Sequence, residues 1–225
     1  MQYPERFSAL PDYAFPRLRA LLDQHAPGGE PLAMSIGEPR HPFPGFVTET
    51  LARHAGLYAR YPPNEGAPEL RDAIAGWLSR RYGVDMDPAT QILPLNGTRE
   101  GLFMAVLALC PERKNGERPA ILMPNPFYQC YAAAALAAGA EPVYVPATEE
   151  TGFLPDFAAV PPAILDRAAI LFTCSPANPQ GAVMSEDRWK GLIALCERHD
   201  IRLFADECYS EIWRKAPPPG VLAAA

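Results

Sequence analysis

Two polar stretches, Ser175-Pro176-Ala177-Asn178-Pro179-Gln180-Gly181 and Ala205-Asp206-Glu207-Cys208-Tyr209, each follow a run of mainly apolar residues. The runs, residues 169–173 and 201–204, are short and rich in leucine, isoleucine and phenylalanine, which is typical of buried strands. The carboxyl ends of parallel strands form the edge at which open α/β sheets bind ligands. The sequence therefore predicts an amide (Asn178), a carboxylate (Asp206) and a phenol (Tyr209) at one such edge.

Helical and strand patterns alternate through the middle of the chain. Helical spacing and capping residues predict helices at 68–81, 98–109, 127–138 and 185–199. Short apolar runs predict strands at 91–95, 119–123, 141–145, 168–173 and 201–205. This order predicts an α/β fold with a mostly parallel sheet and helices on both faces. Residues 1–45 do not follow the pattern and are expected to form an arm and part of a small domain, whereas residues 46–225 form a large domain.

Composition excludes several classes of partner. The 225 residues are 48% hydrophobic and 20% charged, which suits a globular protein of one substantial domain or one and a half small ones. The net charge of −6 gives no reason to expect nucleic acid or an anionic membrane as a partner. No apolar run approaches the roughly 18 residues of a membrane span, and residues 1–20 show no secretory signal. We therefore expect a cytoplasmic protein.

The cysteines do not predict a metal site. The four histidines do not cluster near the five cysteines, and no two cysteines form a CxxC pair: Cys110, Cys130, Cys174, Cys196 and Cys208. Reduced, mostly buried thiols are the expectation. Cys208 lies next to functional candidates, but no histidine is near it in sequence to activate a nucleophile, so we expect it to pack in the core.

Two strand-to-helix junctions offer further binding groups. Asn96-Gly97-Thr98-Arg99-Glu100 precedes a predicted helix, whose free N–H groups favour an anion such as a phosphate, with Thr98 as the cap. In Pro124-Asn125-Pro126-Phe127-Tyr128, the tyrosine lies at the start of the next helix, where its ring can stack on a flat heterocycle. Taken alone, the first pattern also fits an ordinary helix cap and the second a packed aromatic.

Two earlier segments are open to the same pair of interpretations. Gly37, within Ser35-Ile36-Gly37-Glu38-Pro39, has no side chain and permits close approach of a ligand to the backbone, or simply makes a turn. Tyr61, which opens Tyr61-Pro62-Pro63-Asn64-Glu65-Gly66, is either a binding group or an ordinary loop tyrosine.

Taken together and in this order, the motifs resemble those of the class I/II aminotransferases of fold type I, which use pyridoxal 5'-phosphate. The resemblance extends from about residue 30 to the C-terminus. It implies that residues 46–225 are the cofactor-binding large domain. Within the family, the residues of these motifs are most similar to those of bacterial succinyldiaminopimelate transaminases. Those enzymes move an amino group between glutamate and a succinylated keto acid in lysine biosynthesis.

The resemblance also implies a role for each candidate residue. Asp206 pairs with the pyridine nitrogen and Tyr209 helps to hold the ring oxygen, and both count as catalytic. The other implied contacts are Asn178 with the ring oxygen, Tyr128 with the ring face, Gly97, Thr98 and Arg99 with the phosphate, Tyr61 with the phosphate of the neighbouring subunit in a homodimer, and Gly37 with the carboxylate of a small amino or keto acid.

The Schiff-base lysine of the family has no counterpart here. Lys114, Lys190 and Lys215 are the three lysines, and none lies in the family's lysine motif. The family's arginine for the substrate carboxylate is missing as well. We therefore expect the N-terminal part of an aminotransferase, truncated before the last strands of its sheet and inactive alone. A carbon–sulfur lyase of the same fold and a non-catalytic cofactor-binding remnant are the alternatives. A NAD-binding domain is disfavoured because no GxGxxG follows the first strand.

Overall fold

The computed structural model of the chain describes residues 4–8, 10, 12–32, 34, 36–38 and 41–225. The chain divides into two compact units. The smaller unit is Pro11–Asn64, and the larger one combines Met1–Leu10 with Glu65–Ala225. The domain boundary predicted at residue 45 stays a prediction.

The smaller unit is helical and exposes most of its described surface. Its α-helices are α1 (Ala14–Leu22) and α2 (Phe46–Arg53), and a 3-10 turn follows at Ala55–Ala59. No described residue of these three elements is buried. The unit therefore has no core of its own among the residues described.

The larger unit is built on a four-stranded parallel sheet. Its strands are β1 (Ala120–Asn125), β2 (Glu141–Pro146), β3 (Ala168–Cys174) and β4 (Arg202–Asp206), arranged in the order β2-β1-β3-β4. The helices are α3 (Pro68–Tyr82) and α4 (Thr98–Leu109) before β1, α5 (Gln129–Ala137) between β1 and β2, α6 (Pro162–Leu165) before β3, α7 (Glu186–Arg198) between β3 and β4, and α8 (Val221–Ala224) at the end. The predicted α/β class is confirmed.

Alternate residues of the central strands supply two separate cores. On one face, Ile121 of β1 and Phe172 of β3 pack with α5, through Tyr131 and three buried alanines. On the other face, Leu122 and its neighbours pack with α7, whose Trp189 is fully buried. Because both faces are covered, the strands are apolar throughout rather than alternating, as expected for a parallel sheet.

Two local predictions at the start of α4 are wrong. Residues 91–95 form no strand, because a strand persists only when it is paired, no described residue pairs with this segment, and Pro94 has no N–H to donate. Thr98 does not cap α4 either. It is the first helical residue, and Gly97 precedes it as the cap.

The strand order places a topological switch point at the carboxyl edge of the sheet. From β1 the chain moves to β2 on one side, and it then returns to β3 on the other side of β1. The connections that leave β1 and β3 therefore diverge, and open α/β sheets bind ligands at such a point. Tyr128 follows β1, Asn178 follows β3, and Asp206 ends β4, so the candidate residues lie around this switch point.

Lys114 stabilises the opposite, amino edge of the sheet. Its Nζ donates to the backbone carbonyls of Ala168, His199 and Asp200, each at 2.6 Å. Ala168 begins β3 and the other two carbonyls precede β4. Burial lowers the pKa of Lys114, while the nearby Asp200 opposes that effect. This lysine is therefore committed to an edge away from Asp206.

No helix within the described part of the chain combines the length and apolar character needed to cross a membrane.

We predict that Lys114→Ala lowers the free energy of unfolding by about 2 kcal/mol, because three carbonyls lose a charged donor. Urea denaturation followed by circular dichroism measures the loss. Lys190→Ala is the matched control, since Lys190 forms an exposed ion pair with Glu186 on α7 and its removal should change little. Equal effects of the two substitutions would contradict the structural role of Lys114.

Candidate functional site

Asp206 is held in place by two donors at the end of β4. The hydroxyl of Tyr131 donates to Oδ2 at 2.6 Å, and the backbone N–H of Cys208 donates to Oδ1 at 3.3 Å. Each carboxylate oxygen keeps a further lone pair for another partner. The Asp206 side chain is partly exposed, so it can contact a ligand at the edge of the sheet while these two donors fix its orientation.

Tyr131 is a rigid donor because it is almost fully buried. Its ring stacks on Phe172 of β3, with ring centroids 4.2 Å apart and the planes 8° from parallel. Burial raises the pKa of Tyr131 strongly, and the charge of Asp206 raises it further. The phenol therefore stays protonated and donates to Asp206 across the physiological pH range.

Asn178 and Tyr209 form a second pair at the same edge. The Asn178 amide Nδ2 donates to the Tyr209 hydroxyl at 3.1 Å. Burial raises the pKa of Tyr209, so its hydroxyl keeps a proton that it can donate elsewhere. Tyr209 lies three residues after Asp206, and Asn178 lies four after Cys174, which is opposite Asp206 in the β3–β4 register. The amide, the carboxylate and the phenol thus lie at neighbouring strand ends, as the sequence predicts.

The start of α4 is joined to the same edge through Tyr128. The Arg99 Nε donates to the Tyr128 hydroxyl at 2.7 Å, and the Tyr128 ring meets the Tyr131 ring edge-on at 5.7 Å. Gly97 has a φ of 141°, and a Cβ on it would lie 2.5 Å from a Glu100 carboxylate oxygen, so glycine suits this turn. No side chain in the described part of the chain caps α4, which leaves its first N–H groups available to an anion.

A half-buried anchor fixes the loop that follows β4. Glu207 accepts hydrogen bonds from the Tyr82 hydroxyl at 2.8 Å and the Val221 N–H at 2.6 Å. The Ser175 N–H donates to the Asp206 carbonyl at 3.1 Å and extends the β3–β4 pairing by one bond. Asp206 and Tyr209 are therefore positioned by backbone and side-chain contacts on both sides.

Gly37 and Tyr61 belong to the smaller unit. Both are exposed, and the Tyr61 side chain is 100% accessible. Their predicted contacts with a substrate carboxylate and with a neighbouring subunit stay predictions.

The expectation that Cys208 packs in the core is wrong. Cys208 is exposed, because it follows the last residue of β4 rather than lying within the strand. It lies beside Cys174 and Asp206, and a hydrogen bond with Cys174, together with burial of its sulfur, raises the pKa of Cys208. The hydrogen bond from Cys208 lowers the pKa of Cys174.

Tyr131 is the functional residue that the sequence analysis missed. It lies three positions after Tyr128, so the two rings share one side of the helix start. That spacing was the available signal, but a tyrosine inside an alanine-rich helix also fits ordinary core packing.

Comparison with known proteins identifies a family. Residues 30–223 match the family described as aminotransferase class I and II. An LL-diaminopimelate aminotransferase of Dehalococcoides mccartyi is 37% identical over 215 residues, which are 94% of this chain and 54% of that protein. One of Desulforudis audaxviator is 35% identical over 211 residues, with 92% and 53% covered. The crystal structure of an aminotransferase from Neisseria meningitidis superposes with a TM-score of 0.90 at 38% identity, covering 98% of this chain and 56% of that one. The chain thus spans about half the length of the relatives it matches.

We predict that Tyr131→Phe lowers the free energy of unfolding by about 1.5 kcal/mol, because a charged, partly buried acceptor loses its donor. A double-mutant cycle with Asp206→Asn, measured by urea denaturation, isolates the coupling between the two side chains. Tyr144→Phe is the matched control, since the exposed Tyr144 hydroxyl makes no hydrogen bond to Asp206. A coupling energy near zero would contradict the proposed positioning of Asp206 by Tyr131.

Proposed function

The chain belongs to the class I and II aminotransferase family, and on that basis we propose that it binds pyridoxal 5'-phosphate and serves amino transfer between the glutamate/2-oxoglutarate pair and another amino acid/keto acid pair. The observation on which this rests most is the carboxylate of Asp206, oriented by buried Tyr131 at the carboxyl edge of the sheet. A carboxylate fixed in this way is a suitable counter-charge for a protonated ring nitrogen.

The chemistry of the other side chains fits the same cofactor. Asn178 and Tyr209 offer donors for a ring oxygen, and the first N–H groups of α4 offer donors for a phosphate. Tyr128, which is 41% exposed, presents a ring beside them. An acidic group, neutral donors and an anion-binding turn are the three kinds of group that a phosphorylated hydroxypyridine requires.

Each residue has a defined task in the proposed site. When bound, the cofactor supplies an electron sink for the α-carbon of the amino acid attached to it. Asp206 contributes negative charge at the ring nitrogen, and Tyr131 keeps that carboxylate in one orientation. Asn178 and Tyr209 orient the ring from its oxygen side, and Gly97, Thr98 and Arg99 hold the phosphate at the start of α4.

For the substrate we propose an amino acid of the diaminopimelate class. The named relatives are LL-diaminopimelate aminotransferases, whereas the residues of the motifs are similar to those of transaminases that act on N-succinyl-diaminopimelate. Both substrates have the same seven-carbon diacid skeleton and differ at one amino group. Carbon–sulfur lyase chemistry is the alternative, because a lyase of this fold uses the same groups around the ring.

We further propose a cytoplasmic homodimer. Tyr61 is fully accessible within its own chain, which suits a side chain that contacts the phosphate of a neighbouring subunit. Outside Gly37 and its two chain neighbours, no atom of the described residues lies within 4 Å of where a Cβ on Gly37 would stand, so its backbone is open to a substrate carboxylate.

We expect this chain to bind the cofactor without completing amino transfer by itself. Lys114 is held by three carbonyls at the amino edge of the sheet, and Lys190 pairs with Glu186 on the surface of α7. Lys215 is exposed in the segment before α8. None of the three matches the family's lysine, so the chain has no amine assigned to the reacting carbon.

We predict that the chain binds pyridoxamine 5'-phosphate reversibly and that Asp206→Asn weakens the binding about tenfold or more, because the ring nitrogen loses a charged partner. Equilibrium dialysis measures both affinities. Pyridoxamine phosphate is the appropriate probe, since it has no aldehyde to react with surface lysines.

Glu197→Ala is the matched control for charge. Glu197 is an exposed acid on α7, and its loss should leave the affinity unchanged. Equal affinities of the wild type and the Asp206→Asn variant, with both folded by circular dichroism, would refute the role of Asp206. Absence of binding in the wild type would refute the proposed function.

We predict that the phosphopyridoxyl conjugates of LL-diaminopimelate and of its N-succinyl derivative bind more tightly than that of alanine. Each conjugate is a stable reduced compound that joins cofactor and amino acid, so its affinity requires no catalytic lysine. Calorimetric titration ranks these three conjugates together with a fourth, that of cystathionine. If the conjugate of cystathionine binds most tightly, the lyase alternative gains and the diaminopimelate assignment fails.

A further inference from the structure

Two thiols and a carboxylate converge at the carboxyl edge of β3 and β4. The sulfurs of Cys174 and Cys208 and one carboxylate oxygen of Asp206 all lie within 4.8 Å of one another. Cys174 is the last residue of β3 and is paired with Asp206, and Cys208 lies two residues after Asp206. The prediction of no metal site rested on linear spacing, and linear spacing does not show a cluster assembled from two neighbouring strands.

The three ligand atoms form a set that a soft divalent cation prefers. Thiolate sulfur binds Zn²⁺ at about 2.3 Å and carboxylate oxygen at about 2.0–2.2 Å, so two sulfurs and one oxygen on one tetrahedral ion are about 3.5–3.8 Å apart. The three ligand atoms already lie within 4.8 Å of one another, so each separation exceeds that range by no more than about 1.3 Å. Three protein ligands leave one tetrahedral position for water, which is the arrangement of an open site rather than a closed structural one.

The surroundings orient the ligands and leave a route for the ion. Tyr131 and the Cys208 N–H fix the Asp206 carboxylate, which is the kind of outer contact that supports metal ligands in proteins. The Cys174 thiol donates to the Pro176 carbonyl at 3.2 Å, and a metal–sulfur bond replaces this hydrogen bond when the ion binds. Cys208 is exposed, so an ion reaches the cluster directly from solvent.

We propose that Cys174, Asp206 and Cys208 form a binding site for one thiophilic divalent cation, Zn²⁺ or its analogue Cd²⁺. Binding forms two metal–sulfur bonds and one metal–oxygen bond, and the two thiol protons leave to solvent. Because the same carboxylate is the proposed partner of the cofactor's ring nitrogen, the cation and the cofactor exclude one another. This exclusion rests on the proposed function, whereas the cation site itself does not.

The site is tested by titrating the cofactor-free, phosphine-reduced chain with Cd²⁺ and following thiolate-to-cadmium charge-transfer absorption in the ultraviolet. We expect one equivalent to bind, and Cys174→Ser, Cys208→Ser and Asp206→Asn each to weaken binding at least about tenfold. Cys110→Ser is the matched control, because Cys110 is half-buried at the end of α4 and outside the cluster. No absorption band in the wild type, or an unchanged band in the Cys174→Ser/Cys208→Ser double variant, would overturn the site.

A second measurement uses only the unmodified sequence, so it does not depend on how the variants fold. Zn²⁺ should slow alkylation of Cys208 by iodoacetamide at least about tenfold, mapped by peptide mass spectrometry, and leave Cys110 unaffected. Equal alkylation rates of Cys208 with and without Zn²⁺ would overturn the proposal.

Competition separates the cation site from the proposed function. Saturating Zn²⁺ should abolish binding of pyridoxamine 5'-phosphate, and excess pyridoxamine phosphate should displace the Cd²⁺ band. A cation that binds at the three residues without changing the affinity for pyridoxamine phosphate would overturn the exclusion. A chain that binds Cd²⁺ but no pyridoxamine phosphate would support the cation site and count against the proposed function.

Discussion

The parallel register of β3 against β4 determines which side chains meet at the candidate site. Phe172 is paired with Phe204 and Cys174 with Asp206, so all four face α5. Side chains alternate between the two faces of a sheet, and a slip of one residue would therefore turn Asp206 toward α7. The carboxylate would then lose Tyr131, and the thiol cluster would come apart. The chemistry of this edge thus depends on the apolar residues that fix the register several positions earlier.

The approach of α5 to the sheet is the second constraint. Ala132, Ala134 and Ala135 are buried against the strands, and their small side chains let Tyr131 lie flat on Phe172. A buried phenol must find a hydrogen-bond partner, and Asp206 is the acceptor within reach. The one hydrogen bond therefore serves both groups. It gives the buried Tyr131 hydroxyl an acceptor, and it fixes the orientation of the Asp206 carboxylate. Packing and function are not separable at this contact.

Much of this arrangement could be predicted from the sequence because strand ends are local features. Apolar runs that stop at polar residues place Asn178, Asp206 and Tyr209 at one edge without any knowledge of tertiary contacts. Tyr131 could not be identified in this way, because a core tyrosine and a positioning tyrosine have the same local pattern. The prediction of a strand at residues 91–95 was wrong because an apolar run becomes a strand only when a partner strand lies beside it, and the local sequence does not show that partner.

The two edges of the sheet differ in what they can bind. At the amino edge, the Lys114 ammonium donates to three backbone carbonyls, which hold its charge at that edge. At the carboxyl edge, Asp206 is fixed by donors yet keeps lone pairs that face solvent. A phosphorylated ring would spread its contacts from α4 to Asn178, whereas a cation would concentrate them on Asp206 and two sulfurs. Substitutions near Gly97 or Tyr128 should therefore lower the affinity for the phosphorylated ring and leave the affinity for the cation unchanged. The relative affinity for the two ligands is then set by residues that contact only one of them.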